Sequence, residues 1–182
     1  MTLIRTPDHE NEVWNNYMKY RTDLYEVLLP GNADHSLISE ANWIIRSRLS
    51  SGEDIGIKVK PGDICCMDYG QSYLNEMGYQ HFGLVMTVCS KKALVIPMTS
   101  NTKTYSKAYD PVNNPGGRKN LMQIGKIEGL TKPSVLFLND VRFINTARVI
   151  DIKAHIPVEG KMFPEIQHRL FTIMFLNQDE KG

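Results

Sequence analysis

The hydrophobic rhythm of the chain changes near residue 57. Before that point apolar residues recur at helical spacing. Val13, Tyr17, Leu24 and Leu28, with Trp14, Met18 and Tyr25 alongside, predict one helix; Leu37, Ala41, Ile44, Ile45 and Leu49 predict the apolar side of a second. Thr6 followed by Pro7, Asp8 and Glu10 reads as the start of the first helix. It offers a capping hydroxyl, a proline at the first helical position and carboxylates at the positive end of the dipole. Pro30-Gly31-Asn32 is expected to end that helix, Ser36 to cap the second and Ser50-Ser51-Gly52 to stop it, with Glu53 to Lys58 as a linker. Neither helix looks self-sufficient, so each is expected to pack on the rest of the chain or on a partner.

From Ile57 onward the pattern is that of short strands. Asp63 to Tyr69 is a strand opened by Pro61-Gly62. Phe82 to Ser90 is a second, turning at Lys91-Lys92, and Ala93 to Met98 is a third, closing on Thr99-Ser100-Asn101. The polar stretch from Thr102 to Asn120, with Asn-Asn and Pro-Gly-Gly, marks loops or turns. Leu121 to Ile127 and Ser134 to Leu138 are further strands, and Arg142 to Ile150 adds a strand or a turn. Phe163 to Gln178 is an amphipathic terminal helix with Ile166, Leu170, Ile173, Met174 and Leu176 mostly inward. The expected fold class is α+β. A small, strongly curved antiparallel sheet or partial barrel (57–182) carries a C-terminal helix and follows a two-helix N-terminal extension (1–56).

The order of the strand motifs resembles the MazF/PemK family of toxin endoribonucleases, over residues 58 to about 178. Lys60-Pro61-Gly62-Asp63-Ile64 stands where that family opens with Arg/Lys-Gly-Asp. Asn75 to Phe82 is similar to its loop Gly-x-Glu-x-Gly-x-Arg-Pro, matching at Glu76 and Gly78 and placing His81 at the family's catalytic arginine and Phe82 at its proline. Thr99-Ser100 matches the pair that closes the next strand. Asn139-Asp140-Val141-Arg142 looks like the later acidic residue and Gln-x-Arg, with Asn139 where several members carry a carboxylate and Asp140 expected on the opposite strand face.

The resemblance implies a partial SH3-like barrel and the toxin of a toxin–antitoxin system. Its activity is a metal-independent endoribonuclease on single-stranded RNA, leaving 2′,3′-cyclic phosphate and 5′-OH ends. It also implies a homodimer and a cognate antitoxin that blocks the RNA groove. His81 and Thr99 take the catalytic positions, with Ser100, Arg142, Glu76 and Asn139 at the phosphate. Histidine for arginine is not a conservative exchange, since one titrates near neutrality and the other is a permanent cation. Two rival functions therefore stay open on this fold: a CcdB-like gyrase-poisoning toxin without catalysis, and a catalytically inactive RNA- or protein-binding module.

The residues support part of this on their own. RNA cleavage without a metal needs a base for the 2′-OH proton, an acid for the leaving 5′ oxygen and donors for the charge of the phosphorane. Histidine serves as base or acid, a threonine hydroxyl donates, and arginine clamps a phosphate. If the second and third strands pair through the turn Ser90 to Ala93, His81 falls opposite residues 99 to 102. Each residue also has a plainer reading: His81 as a structural or surface residue and Thr99-Ser100 as a strand end. Likewise Arg142 is a brace for a buried carboxylate such as Asp68 or Asp140, and Glu76 an anchor of its own loop. Lys103, Tyr105, Lys107, Tyr109, Arg118 and Lys119 interleave cations with rings, a pattern for holding single-stranded RNA or for a solvated loop. His35, His155 and His168 read as surface residues and His9 as part of the first helical turn.

Charge sharpens this picture once divided. Residues 1–57 carry a net −4, residues 58–149 a net +6 and residues 150–182 a net −1, so a basic middle lies between acidic ends. Cys65, Cys66 and Cys89 lack ligand spacing and read as reduced core thiols, so neither a metal site nor a cofactor is expected. With apolar runs only of strand length and none like a signal peptide, a cytoplasmic protein with no membrane partner is expected.

Overall fold

Two helices lead into the sheet. In the structure, a computed structural model describing residues 7–28 and 30–176, α1 spans Pro7–Val27 and α2 spans Pro30–Arg46. Pro30 thus opens the second helix rather than closing the first, since a missing N–H costs nothing in a first helical turn. Ser36, expected as a cap, lies inside α2 and is buried, its hydroxyl 2.7 Å from Tyr25 Oη. The expected linker contains a 3-10 turn, Gly52–Ile55, fastened to the body where Gly52 N–H donates to Thr146 Oγ1 at 2.9 Å. The Thr6 cap and the side chain of His9 lie outside the described residues.

Seven strands follow: β1 Asp63–Asp68, β2 Gln80–Cys89, β3 Lys92–Thr99, β4 Leu121–Gly125, β5 Ser134–Phe137, β6 Arg142–Asn145 and β7 Val149–His155. They form one antiparallel sheet in the order β4-β5-β3-β2-β1-β7, with β6 also on β3. The outer edge of β3 is divided. Lys92 to Val95 pair with β6, and Met98-Thr99 pair with β5. Register shifts in the β1–β2–β3 region, between Val85 and Thr87 and at two points of the β1–β7 ladder, bend the sheet strongly. The fold is α+β, as expected, closed by α4 (Met162–Phe171) and a π-helical turn, Thr172–Leu176. β7 runs further than the expected strand or turn at 142–150. Its residues Asp151 to Lys153 are exposed, so no apolar alternation marks it.

Both faces of the sheet are packed. One carries Ile64, Leu84, Met86, Ile96, Met98 and Leu136 against Phe163 and Ile166 of α4. The other carries Cys65, Met67, Tyr69, Val85, Val95, Ile144 and Val149. Alternation in β1 sends Cys65 and Cys66 to opposite sides, Cys65 buried and Cys66 half-buried, whereas Cys89 at the end of β2 is exposed and is not a core thiol. Met174 and Leu176, expected inward, are exposed, whereas Ile173 of the same π turn packs on the core.

Candidate functional site

The pairing of β2 with β3 sets out the site in rungs. Val85 stands opposite Val95, Gly83 opposite Pro97 and Phe82 opposite Met98. His81 and Thr99 each lie one residue beyond that last pair, so the register carries them onto one rung. Two residues from Gly83 and Pro97 respectively, they share the face of Val85 and Val95. Arg142 joins the same face further along, opposite Val95 on β6. The two-residue turn Ser90-Lys91, with Ser90 at φ 56, sets Cys89 opposite Lys92, and the shift between Val85 and Thr87 then moves the register by one residue to bring Phe82 opposite Met98.

Tyr69 fills the rung between them. Its ring is buried beneath the Arg142 guanidinium, 5.6 Å from ring centroid to guanidinium carbon. Its hydroxyl occupies the place a Cβ at Gly83 would need and lies 3.5 Å from the Phe82 carbonyl. Burial pushes the phenol well above its ordinary pKa, so it stays protonated. Arg142 also forms an ion pair with Asp140, whose second oxygen accepts the Met77 N–H at 2.7 Å. Asp140 sits in a 3-10 turn, Leu138–Asp140, and not in a strand, so strand alternation does not decide where its carboxylate points.

The loop from Gly70 to Tyr79 holds the imidazole. His81 Nδ1 lies 2.7 Å from the Gly78 carbonyl. A carbonyl only accepts, so Nδ1 carries a proton, and in the neutral tautomer that this selects the lone pair is on Nε2. Gly78 is needed there, since a Cβ would collide with Ser72. Tyr79 is held left-handed at φ 56, its N–H donating to the Gly70 carbonyl at 2.7 Å and its carbonyl accepting the Tyr69 N–H at 2.8 Å. Such strain, on the order of 1–3 kcal/mol, persists only where neighbours impose it.

Part of that imposition comes from α2. His35 stacks on the Tyr79 ring at 6.3 Å, and Ser36 Oγ exchanges hydrogen bonds with the Gln71 amide. Asp68, at the end of β1, is 5% exposed and accepts from Ser39 and Asn42 of α2, from Gln80 and from Gly70 N–H, at 2.7 to 2.9 Å. Burial raises its pKa, but those donors outweigh it and leave the carboxyl below the usual carboxylate range. Arg46 closes the joint by donating to the Ala147 and Val149 carbonyls.

The remaining expected residues are spread more widely. Thr99 is half-buried; its hydroxyl oxygen accepts the Asn101 N–H at 3.2 Å, leaving its own O–H to donate. Ser100 is exposed at the strand end. Glu76 is exposed and accepts the Tyr73 N–H at 3.3 Å, within its own loop. Asn139 is exposed and accepts from the Asn120 amide, away from Arg142's carboxylate partner. Lys103, in the short helix α3 (Thr102–Tyr105), and Lys107 beyond it are exposed. The Arg142–Asp140 brace was one of the sequence readings, whereas Tyr69, the Met77 side of that clamp and the α2 contacts were missed; Tyr69, four residues past Gly83's partner Cys65, is placed only once β1 is registered on β2. His155, read as a surface residue, is exposed, and its Nδ1 lies 2.8 Å from the carboxylate of the buried Asp63. Among the described residues no group of three or more His, Cys, Asp or Glu is placed to hold a metal.

No family model matches the sequence, and no curated protein does. Solved structures do match. One is MazF from Deinococcus radiodurans, 14% identical with a TM-score of 0.47, over 64% of this chain and 96% of that one. Another is the Mycobacterium tuberculosis toxin MazF-mt6, 12% identical with a TM-score of 0.42, over 60% and 93%. A third is an endoribonuclease in complex with its cognate antitoxin from a mycobacterial species, 10% identical with a TM-score of 0.46, over 65% and 97%.

Proposed function

We propose that the protein is the toxin of a toxin–antitoxin system and cleaves single-stranded RNA without a metal. The observation that carries this reading is the common rung of His81 and Thr99, with the imidazole's Nδ1–H tied to Gly78 and its Nε2 lone pair left for a substrate. A backbone phosphate laid on that face has a base at one side and a hydroxyl donor at the other. His81 Nε2 takes the 2′-OH proton, the 2′ oxygen attacks phosphorus, and the 5′ oxygen departs with a proton from water. The products are a 2′,3′-cyclic phosphate and a 5′-OH. Thr99 and Ser100 donate to non-bridging oxygens, and the Arg142 donors left over from Asp140 offset charge.

Residues 57–182 are the catalytic unit in this reading, and 1–56 an extension that steadies the His81 loop. Lys103 and Lys107 hold the RNA strand beyond the scissile linkage; Glu76 and Asn139 shape the adjoining loops. The working unit is a cytoplasmic homodimer held in check by an antitoxin. No helix among the described residues is long and apolar enough to cross a membrane.

The test is incubation of mixed-sequence RNA with the purified protein in EDTA, followed by end labelling. Wild type should yield fragments whose 5′ ends accept phosphate from a kinase without prior phosphatase. His81→Ala should lower the cleavage rate by about 10²-fold or more, the usual worth of a positioned base. RNA bound but uncut by wild type would instead support an inactive binding module, and gyrase binding without RNA cleavage a CcdB-like poison.

A further inference from the structure

Helix α2 is mounted inside out. Its polar residues Ser36, Ser39, Asn42 and Arg46 face the body and α1, satisfied by Tyr25, Asp68, Gln71 and the carbonyls of residues 147 and 149. Its apolar residues face solvent: Leu37 is 45% exposed, Ile38 50%, Ile44 67% and Ile45 74%, with Ala41 exposed among them. A surface helix ordinarily does the reverse. At about 100° per residue, Leu37, Ile38, Ala41, Ile44 and Ile45 form one stripe roughly 120° wide, centred on Ala41. Asp34 continues the same line at one end, and Arg48 follows the other end in the turn just past Arg46. Both are exposed, and neither has an ion-pair partner among the described residues.

We infer that this stripe pairs two copies of the chain, α2 against α2, antiparallel about a two-fold axis at Ala41. A two-fold interface matches each position with its mirror along the helix. Leu37 then meets the other copy's Ile45, Ile38 meets Ile44, and Ala41 meets itself, a small residue where the helices come closest. Asp34 meets Arg48 at both ends. A parallel pairing puts Asp34 against Asp34, and an uncharged or acidic foreign helix leaves at least one end charge unmatched, so the charge pattern favours the second copy. This names a surface for the homodimer put forward above and rests on that part of the reading alone, not on the nuclease chemistry.

Axes about 8–10 Å apart with Cα atoms about 2.3 Å off axis bring the two Ala41 Cα atoms to roughly 3.4–5.4 Å, the upper part of which is within disulfide reach. The experiment uses the full chain with the exposed Cys89 changed to Ser. Ala41→Cys should cross-link to a dimer on oxidation, and Asp23→Cys on α1 should not. Asp34→Cys and Arg48→Cys should cross-link when mixed and not singly. In sedimentation, Asp34→Arg or Arg48→Asp alone should weaken association by about tenfold or more, and the two together should restore it. A dimer that forms without the Ala41 cross-link overturns the surface while sparing the homodimer. A chain that stays monomeric overturns both, and RNA cleavage by either form is read separately. Restoration failing in the double reversal overturns the antiparallel register.

Discussion

Asp140 ties together the two halves of the candidate site. One oxygen holds the Arg142 guanidinium, and the other receives the Met77 N–H, one residue before the Gly78 carbonyl that orients His81. Removing the carboxylate therefore does two opposite things. It releases Arg142 to reach a phosphate, which favours binding, and it slackens the loop that aims the imidazole, which opposes catalysis. Misplacement of a catalytic group by about 1 Å can cost on the order of 10²-fold in rate, more than one freed donor returns. Asp140→Ala should therefore lower kcat by about tenfold or more while the affinity for uncleaved RNA holds or rises. Single-turnover cleavage beside a filter-binding assay separates the two. An equal loss in both would mean that Asp140 acts through the fold alone.

The docking of α2 hangs on a single buried carboxylate. Asp68 collects donors from Ser39, Asn42, Gln80 and Gly70, and both tryptophans of the chain, Trp14 and Trp43, lie on the helices it anchors. Its pKa is held below the ordinary value, so the stability it contributes is complete above about pH 4 and is lost as the pH falls through the depressed value. Wild-type stability against urea, read by tryptophan fluorescence, should fall on acidification below about pH 4. Asp68→Asn should lose roughly 2–3 kcal/mol at pH 7, because an amide nitrogen then faces donors, and should show a flatter acid limb. This hub also explains what could be read from the sequence. The short strands, the terminal helix and the pairing of β2 with β3 were legible because a two-residue turn starts the register and alternation marks buried strands, whereas the shift between Val85 and Thr87 that sets His81 and Thr99 one residue beyond the last pair carries no sequence signal. The arrangement of α2 was not, since periodicity finds the apolar stripe of Leu37, Ala41, Ile44 and Ile45 but does not say that the polar face is the one that docks on the body. Ser39 and Asn42 carry no pattern until Asp68 is placed opposite them. Asp140 was assigned a strand face that the 3-10 turn abolishes.

Across the whole molecule the charges are sorted by segment, net −4 in residues 1–57 against net +6 in 58–149. Helix α2 packs beside Gly70 to Tyr79 and holds α1 through Arg21–Glu40 and Tyr25–Ser36, while exposed Lys103 and Lys107 follow Thr99 and Ser100 along the chain. A polyanion is thus repelled at one end of the site and attracted at the other, which gives the strand a preferred direction of approach. For single-stranded RNA each neutralised phosphate contributes about −0.7 to the slope of log affinity against log salt. Changing both Lys103 and Lys107 to Ala should reduce the magnitude of that slope by about 1.4 and weaken binding at low salt far more than at high salt. His81→Ala, which leaves both lysines in place, should leave the slope where it was. If the lysine variant instead keeps the wild-type slope, the loop does not touch the backbone, and the positive middle of the chain serves another surface. Because the two variants act on different axes, one on salt dependence and one on rate, the path of the strand and the chemistry done on it can be judged apart.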